Sequence, residues 1–184
     1  MSKKAYLARL CDAELKFALQ SSGAVLIEGA KWCGKTSTAS KAAESMVFMQ
    51  DPDNASSYHA MSDTKPSLLL KGATPRLIDE WQVAPILWDA VRFQVDQRTE
   101  RGQFILTGSS VPPENETAHT GTGRISRLKM RPMSLYESME STGQISLRAL
   151  FEGNQVDDGA MSELTIEKIA YVLCRGGWPA SINI

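Results

Sequence analysis

Short apolar runs alternate along the chain with segments in which apolar residues recur every three or four positions. Uninterrupted runs occupy residues 24–27, 46–49, 77–78 and 104–106, and a fifth run with alternating character covers 125–130. Such runs are typical of strands buried in a parallel sheet. The recurring positions predict amphipathic helices over 7–19, 39–43, 87–95 and 166–173. Strands that alternate with helices predict a parallel α/β sheet.

More polar segments separate these elements. Residues 51–65 are rich in turn-forming residues and predict a loop with short helical pieces. Residues 111–122 have almost no apolar content and predict a mobile loop. Ser134 and Glu137 have the spacing of a capping box, which predicts a short helix from residue 135. The glycines at 176 and 177 predict the end of the last helix.

A glycine-rich loop follows the first predicted strand and precedes a predicted helix. Residues 29–36 read Gly-Ala-Lys-Trp-Cys-Gly-Lys-Thr, the spacing of the phosphate-binding loop of nucleoside triphosphatases. The glycines let successive N–H groups point at phosphate oxygens, and the helix adds its positive N-terminal dipole. Lys35 can reach the β- and γ-phosphates, and the Thr36 hydroxyl can ligate Mg²⁺. The predicted nucleotide-binding residues here are Gly29, Ala30, Lys31, Trp32, Cys33, Gly34, Lys35, Thr36 and Ser37.

Two adjacent carboxylates follow the predicted strand at 77–78. Asp79 and Glu80 would lie at the C-terminal edge of the sheet, where open α/β sheets bind their ligands. Asp79 is expected to hold Mg²⁺ together with Thr36, and Glu80 to act as general base on the attacking water. The alternative is an acidic cap at the start of the next helix.

Hydroxyl and arginine side chains complete the predicted catalytic set. Thr107, and after it Ser109, follow the next strand and could bond the attacking water or the γ-phosphate. The alternative is a turn without ligand contact. Arg124 follows a glycine and is the favoured arginine for stabilising transition-state charge, in its own chain or in a neighbouring subunit. The basic residues after it are as well explained by a solvated strand edge.

Composition excludes several classes of protein. The 184 residues are 42% hydrophobic, enough for one globular domain with a small appendage. A net charge of −1 provides no overall field toward nucleic acid or an anionic membrane. No apolar run approaches the roughly 20 residues that span a bilayer, and the N-terminus lacks a signal-peptide core. Three scattered cysteines and two histidines favour reduced thiols in the cytoplasm over disulfides or a zinc site.

The motifs, taken in this order, resemble the bacterial and archaeal AAA-type ATPases whose P-loop domain precedes a C-terminal domain of unknown function. The matching segments are 24–36, 77–82, 104–110, 123–124, 131–135 and 176–179. The resemblance implies a three-layer α/β/α P-loop fold. Its central, mostly parallel five-stranded sheet would have the sensor strand next to the phosphate-loop strand. It also implies ATP as nucleotide and the roles given above to Lys35, Thr36, Asp79, Glu80 and Arg124. The bulky Trp32-Cys33 pair departs from the usual pattern.

The expected organisation is an N-terminal helix over 1–20, an ATPase core over 21–135 and a helical extension over 136–184. By the resemblance, this extension is the truncated start of a lid or of the C-terminal domain. The favoured function is ATP hydrolysis with Mg²⁺ that drives a conformational switch or small motor. A small-molecule kinase and a slow nucleotide-binding signalling module are the alternatives. A protein partner or self-association is expected, no membrane contact, and nucleic acid only through a missing domain.

Overall fold

A computed structural model describes residues 6–108, 121–154 and 159–182. The chain divides into two compact units, one formed by Arg9–Arg131 and the other by Met1–Ala8 together with Pro132–Ile184. The larger unit contains the sheet and all of the described nucleotide-site candidates. Among the described residues, no helix is both long and apolar enough to cross a membrane. Ser109 and the predicted mobile loop, up to residue 120, lie outside the described residues.

The larger unit is built on a five-stranded sheet in which every pairing is parallel. The strands are β1 (Ala24–Glu28), β2 (Ser45–Phe48), β3 (Arg76–Asp79), β4 (Phe104–Gly108) and β5 (Ile125–Lys129). Their spatial order is β2-β3-β4-β1-β5. The parallel α/β sheet is therefore confirmed, and so is the expected position of the sensor strand β4 beside β1.

Six α-helices occur among the described residues. They are α1 (Cys11–Ser21), α2 (Lys35–Ala42), α3 (Ala55–Thr64), α4 (Ile86–Arg98), α5 (Leu147–Phe151) and α6 (Ile166–Arg175). Short 3-10 turns at Pro66–Leu68, Trp81–Val83 and Pro179–Ser181 supplement them. The helices α1 and α2 pack on one face of the sheet, and α4 packs on the other. This arrangement is the expected three-layer α/β/α fold.

Successive residues of β1 enter the two cores in alternation. Ala24 and Leu26 lie in the core beneath α4, whereas Val25 and Ile27 lie in the core beneath α1 and α2. All four side chains are fully buried, because helices cover both faces of the sheet. Burying one large aliphatic side chain contributes about 1.5–3 kcal/mol, so this strand is strongly fixed at the centre of the unit. It carries the phosphate loop at its C-terminal end.

Two local predictions need correction. Residues 51–65, expected to form mostly loop, contain the ten-residue helix α3. On this helix Ser62 is buried and Tyr58 is half-buried against the core, whereas most other side chains are exposed, so the apolar periodicity is weak. Ser134 and Glu137 do form the reciprocal capping-box bonds, at 2.7 and 3.3 Å, but only turns follow them. Met139 adopts a φ of 66°, which is incompatible with a right-handed helix beyond it.

The smaller unit contains α5 and α6. The Thr165 hydroxyl accepts a bond from the Lys168 N–H at 3.2 Å and caps the start of α6. That helix ends at Arg175, and Gly176 follows with a φ of 70°, which confirms the predicted glycine stop. The Arg175 guanidinium binds the Glu140 carboxylate within the same unit.

Candidate functional site

The phosphate loop lies between the C-terminal end of β1 and the N-terminus of α2. Its lysine folds back over the loop backbone: Lys35 Nζ donates to the carbonyls of Gly29 at 2.9 Å and Ala30 at 3.0 Å. Lys35 is buried, so its ammonium group is held by the loop and not by solvent. The charge is thus positioned on the loop itself, as a phosphate-binding lysine requires.

The two glycines of the loop have separate structural reasons. Gly34, the N-cap of α2, has a φ of 105°, a region that favours glycine. At Gly29, an added Cβ would lie 2.1 Å from the Met130 carbonyl oxygen, so only glycine fits against the end of β5.

Between the two glycines, Trp32 has a left-handed φ of 66° and a side chain that is 74% exposed. The Lys31 ammonium lies 5.3 Å from its ring centroid.

Asp79 is the point at which three elements of the site meet. Its Oδ1 accepts a hydrogen bond from the Thr36 hydroxyl of α2 at 2.8 Å. The same oxygen accepts one from the Thr107 hydroxyl of β4 at 2.5 Å. The parallel register, which places Asp79 opposite Thr107, produces this contact. The structure therefore brings together both predicted metal ligands, Thr36 and Asp79, beside the loop.

Glu80 has an unusual backbone conformation and two polar contacts. Its φ and ψ are 56° and 47°, in the left-handed region, and its N–H donates to the Thr107 hydroxyl at 3.2 Å. Its carboxylate accepts a hydrogen bond from the side-chain amide of Gln82. A non-glycine residue held in this region costs on the order of 1 kcal/mol and is often found at functional sites. The turn directs the Glu80 carboxylate toward Gln82.

Thr107 lies near the C-terminal end of β4, as the sequence predicts, but its hydroxyl is bound to protein groups. It was expected to contact the attacking water or the γ-phosphate, but it is fully buried. Its hydroxyl donates to Asp79 and accepts from the Glu80 N–H, so both bonds go to protein groups. In this structure Thr107 joins the metal-site carboxylate to the candidate base. Its alternate, Ser109, falls outside the described residues.

Arg124 lies at the N-terminal end of the parallel strands, whereas the phosphate loop lies at their C-terminal end. It precedes β5, whose first residue pairs with Ala24 at the start of β1, and the loop follows the other end of β1. A five-residue strand is about 16 Å long. Arg124 Nε instead binds Asp96 Oδ1 of α4 at 2.9 Å. The prediction that Arg124 acts within its own chain does not fit this geometry, whereas action in a neighbouring subunit stays a prediction.

Sequence reasoning missed two further groups at the site. Gln82 was noted only as part of the family resemblance, and its bond to Glu80 was not foreseen. Its position two residues after the base was the available signal. Arg9 was not singled out at all, yet its guanidinium donates to the Cys33 carbonyl in the phosphate loop at 2.8 Å. A lone arginine before a helix carries no pattern that would reveal this contact.

The residues present suit a magnesium nucleotide. Thr36 and Asp79 supply hard oxygen atoms, which Mg²⁺ prefers, and protein Mg²⁺ sites commonly combine one or two such ligands with substrate phosphates. Within the described ranges, no group of three or more His, Cys, Asp or Glu side chains could hold a metal. A cation at this edge would therefore depend on phosphate oxygens as well as on protein ligands.

Comparison with known proteins agrees with this geometry. A family model described as an AAA domain matches residues 21–139. The chain belongs to the AAA domain family. Membership confirms the resemblance noted in the sequence and indicates a nucleotide-binding ATPase domain.

Comparison with curated proteins and with solved structures adds no narrower assignment to the AAA domain family. No curated protein matches the chain. Among solved structures, one from C. elegans, of PCH-2, is similar with 16% sequence identity and a TM-score of 0.37. The alignment covers 82% of this chain and 48% of that one. The chain thus spans about half the length of the PCH-2 structure that it matches.

Proposed function

We propose that this AAA domain binds ATP together with Mg²⁺ and hydrolyses it, and that the cycle drives a conformational switch or small motor. The observation that carries the proposal is the double hydrogen bond to Asp79 Oδ1, from Thr36 at 2.8 Å and Thr107 at 2.5 Å. It joins the helix after the phosphate loop, the acidic strand and the sensor strand at one edge of the sheet. A phosphate loop alone would bind nucleotide, and the acidic strand adds what hydrolysis needs.

Each residue has a definite task in this proposal. The loop N–H groups and Lys35 bind the phosphates, and the dipole of α2 favours their negative charge. Thr36 and Asp79 hold Mg²⁺, which when bound would neutralise charge on the phosphate oxygens. Glu80 accepts a proton from the attacking water as general base. Thr107 keeps Asp79 and the Glu80 backbone in fixed relation.

The switch follows from how these contacts would change. Lys35 now bonds the Gly29 and Ala30 carbonyls, and Thr36 now bonds Asp79 directly. Nucleotide and cation would compete for the same donors and acceptors. Binding would therefore exchange bonds between α2 and β3 for bonds to the ligand, and release of the products after hydrolysis would restore them. A two-state change of this kind requires that the ligand interact differently with the two states.

A small-molecule kinase would use the same phosphate loop, but a glutamate directly after the metal aspartate favours activation of water. A slow signalling module is supported by a different observation, the Gln82 amide bound to the Glu80 carboxylate. In that case occupancy, and not turnover, would carry the signal. We further propose that the protein is cytoplasmic. We also propose that it works with a protein partner or with copies of itself, because an arginine in a neighbouring subunit could complete the site.

The test compares the wild type with Lys35→Ala and Glu80→Gln, and uses Lys41→Ala at the other end of α2 as the matched lysine control. Calorimetry measures the Kd for ATP with Mg²⁺, and phosphate release measures turnover. Lys35→Ala should weaken ATP binding by at least about tenfold, which is about 1.4 kcal/mol. Glu80→Gln should bind ATP normally and fail to hydrolyse it. Lys41→Ala should match the wild type.

Three results would oppose parts of the proposal. A wild type that binds neither ATP nor ADP would overturn it entirely. A wild type that binds ATP but releases no phosphate, at concentrations that also permit self-association, would remove hydrolysis and favour the signalling module. Phosphate transfer to an added small-molecule alcohol, in place of release to water, would favour the kinase.

A further inference from the structure

We infer that Arg9 is a positioning residue for the phosphate loop, which it holds in its nucleotide-binding shape from behind. Its guanidinium donates from Nη1 to the Cys33 carbonyl and from Nη2 to the Arg131 carbonyl, both at 2.8 Å. Arg9 is only 8% exposed, so these bonds are made largely away from water. One side chain thereby connects the segment before α1, the loop and the segment that follows β5. The inference rests on the proposed nucleotide-binding function.

The effect on the loop follows from the geometry of one peptide bond. The Cys33–Gly34 peptide is trans and planar, so its C=O and its N–H point in opposite directions. Arg9 fixes the direction of the Cys33 C=O, and it therefore fixes the direction of the Gly34 N–H as well. That N–H belongs to the set at the loop and helix N-terminus through which such loops bind phosphate.

Two further contacts explain why the anchor lies beside β5. The Cys33 side chain is fully buried, with its Sγ 3.8 Å from the Met130 carbonyl oxygen. Gly29 approaches the same carbonyl so closely that a Cβ would not fit. The base of the loop thus rests on Met130, and Arg9 ties the loop to the adjoining Arg131. A loosened Arg9 contact would leave the Cys33 carbonyl without this anchor, while its N–H bond to the Ala30 carbonyl and its side-chain contact would remain.

Arginine is the residue type that this arrangement requires. Its planar guanidinium offers five donors in a rigid fork and can bond two carbonyls at once. A lysine in the same place keeps the positive charge but acts as a point donor, so it cannot reproduce the fork. Arg9→Lys therefore separates the positioning effect from a general attraction of the cation for phosphate. Arg9→Ala removes both.

The matched control is Arg76. Its guanidinium also donates to a backbone carbonyl, but at the opposite end of the strands from the phosphate loop. It starts β3, and its Nε donates to the Leu69 carbonyl at 2.7 Å. Its Nη1 donates to the Ser45 hydroxyl at 2.9 Å. Arg76→Ala should therefore lower the thermal midpoint, as Arg9→Ala does, without touching the phosphate loop.

The experiment measures the Kd for ATP and for ADP, each with Mg²⁺, well below the thermal midpoint of every variant. Arg9→Ala should weaken both nucleotides by about tenfold or more, Arg9→Lys by less, and Arg76→Ala by under about twofold. In ¹⁵N–¹H spectra without nucleotide, the Gly34 amide resonance should move in both Arg9 variants and stay in place in Arg76→Ala. If Arg9→Ala does not fold, Arg9→Lys provides the same two measurements.

Unchanged nucleotide affinity in Arg9→Ala would overturn the inference. An equal loss of affinity in Arg76→Ala would also overturn it, because such a loss would indicate a general loss of stability. Full recovery in Arg9→Lys would assign the effect to charge and reject positioning. A wild type without nucleotide affinity would instead defeat the proposed function. In that case the Gly34 resonance alone decides whether Arg9 shapes the loop.

Discussion

Thr107 and Asp79 lie directly opposite each other on neighbouring parallel strands, and the Thr107 hydroxyl donates to Asp79 Oδ1 at 2.5 Å. Thr107 is fully buried and also accepts the Glu80 N–H at 3.2 Å. A single hydroxyl therefore restrains the candidate metal ligand and the backbone of the candidate base. Any movement of β4 relative to β3 would alter both groups together.

Thr107→Val should reduce ATP hydrolysis and destabilise the fold. Valine has nearly the shape of threonine but leaves the part-buried Glu80 N–H without its acceptor, which costs about 1 kcal/mol. Denaturant unfolding measures the loss of stability, and phosphate release measures the loss of turnover. Thr107→Ser keeps the hydroxyl and is expected to retain more of both. Equal behaviour of the valine and serine variants would show that the hydroxyl has no special role.

Asp79→Asn should separate nucleotide binding from metal binding. The amide keeps an oxygen for Thr36 and Thr107 but lacks the charge that attracts Mg²⁺. We expect near wild-type ATP affinity in EDTA, and little or none of the gain in affinity that Mg²⁺ produces in the wild type. Calorimetric titrations with and without Mg²⁺ provide the comparison. A full Mg²⁺-dependent gain in the variant would place the cation elsewhere.

The fold was largely predictable because its central strands are buried on both faces. Continuous burial makes β1 and β4 read as uninterrupted apolar runs, and a glycine loop directly after β1 identifies that strand. The length of α3 was not predicted, because most of its side chains are exposed. Local patterns report burial, and an element with little burial leaves a weak pattern.

Site residues could be predicted from the sequence where they come at the C-terminal end of a predicted strand, because parallel sheets bind ligands at that end. Asp79 is the last residue of its strand, and so lies at the end of the sheet that binds ligands. Arg124 precedes its strand and therefore lies at the N-terminal end of the parallel strands, away from the phosphate loop. Arg9 acts through contacts that depend on tertiary packing, which no spacing along the chain encodes. The bond from Gln82 to Glu80 is local, and it forms where the chain turns at Glu80.

Arg124 can be tested for action in a neighbouring subunit by mixing two defective variants. Lys35→Ala keeps Arg124 but should bind ATP at least about tenfold more weakly. Arg124→Ala should bind ATP without supplying the arginine. If Arg124 acts across subunits, the mixture hydrolyses ATP faster than either variant alone. Turnover by Arg124→Ala equal to the wild type at all concentrations would limit Arg124 to its exposed ion pair with Asp96. Such a pair contributes only about 0–1 kcal/mol.

The ion pair in the smaller unit should make stability depend on acid pH. A hydrogen bond from Arg175 holds the pKa of Glu140 below its ordinary value, and the same bond raises the pKa of Arg175. A lowered carboxyl pKa stabilises the fold above the unfolded value of about 4.3, and this stabilisation is lost as pH falls through the folded pKa. Glu140→Gln should lower the thermal midpoint at neutral pH by about 2–4 °C. The difference from the wild type should shrink at acid pH, and a difference independent of pH would contradict this account.

Substitutions of Trp32 test whether the backbone conformation at this position of the phosphate loop limits stability and ATP binding. Its φ of 66° suits glycine, is strained for tryptophan and is least suited to a β-branched residue. Because the side chain is 74% exposed, its removal sacrifices little packing beyond the contact with Lys31. Trp32→Gly should therefore keep ATP affinity and stability, whereas Trp32→Val should be less stable than the wild type and bind ATP more weakly. Denaturant unfolding and calorimetry measure the two effects. The reverse order, with glycine losing affinity and valine keeping it, would mean that the loop backbone is not the limiting factor and that bulk at this position contacts the nucleotide.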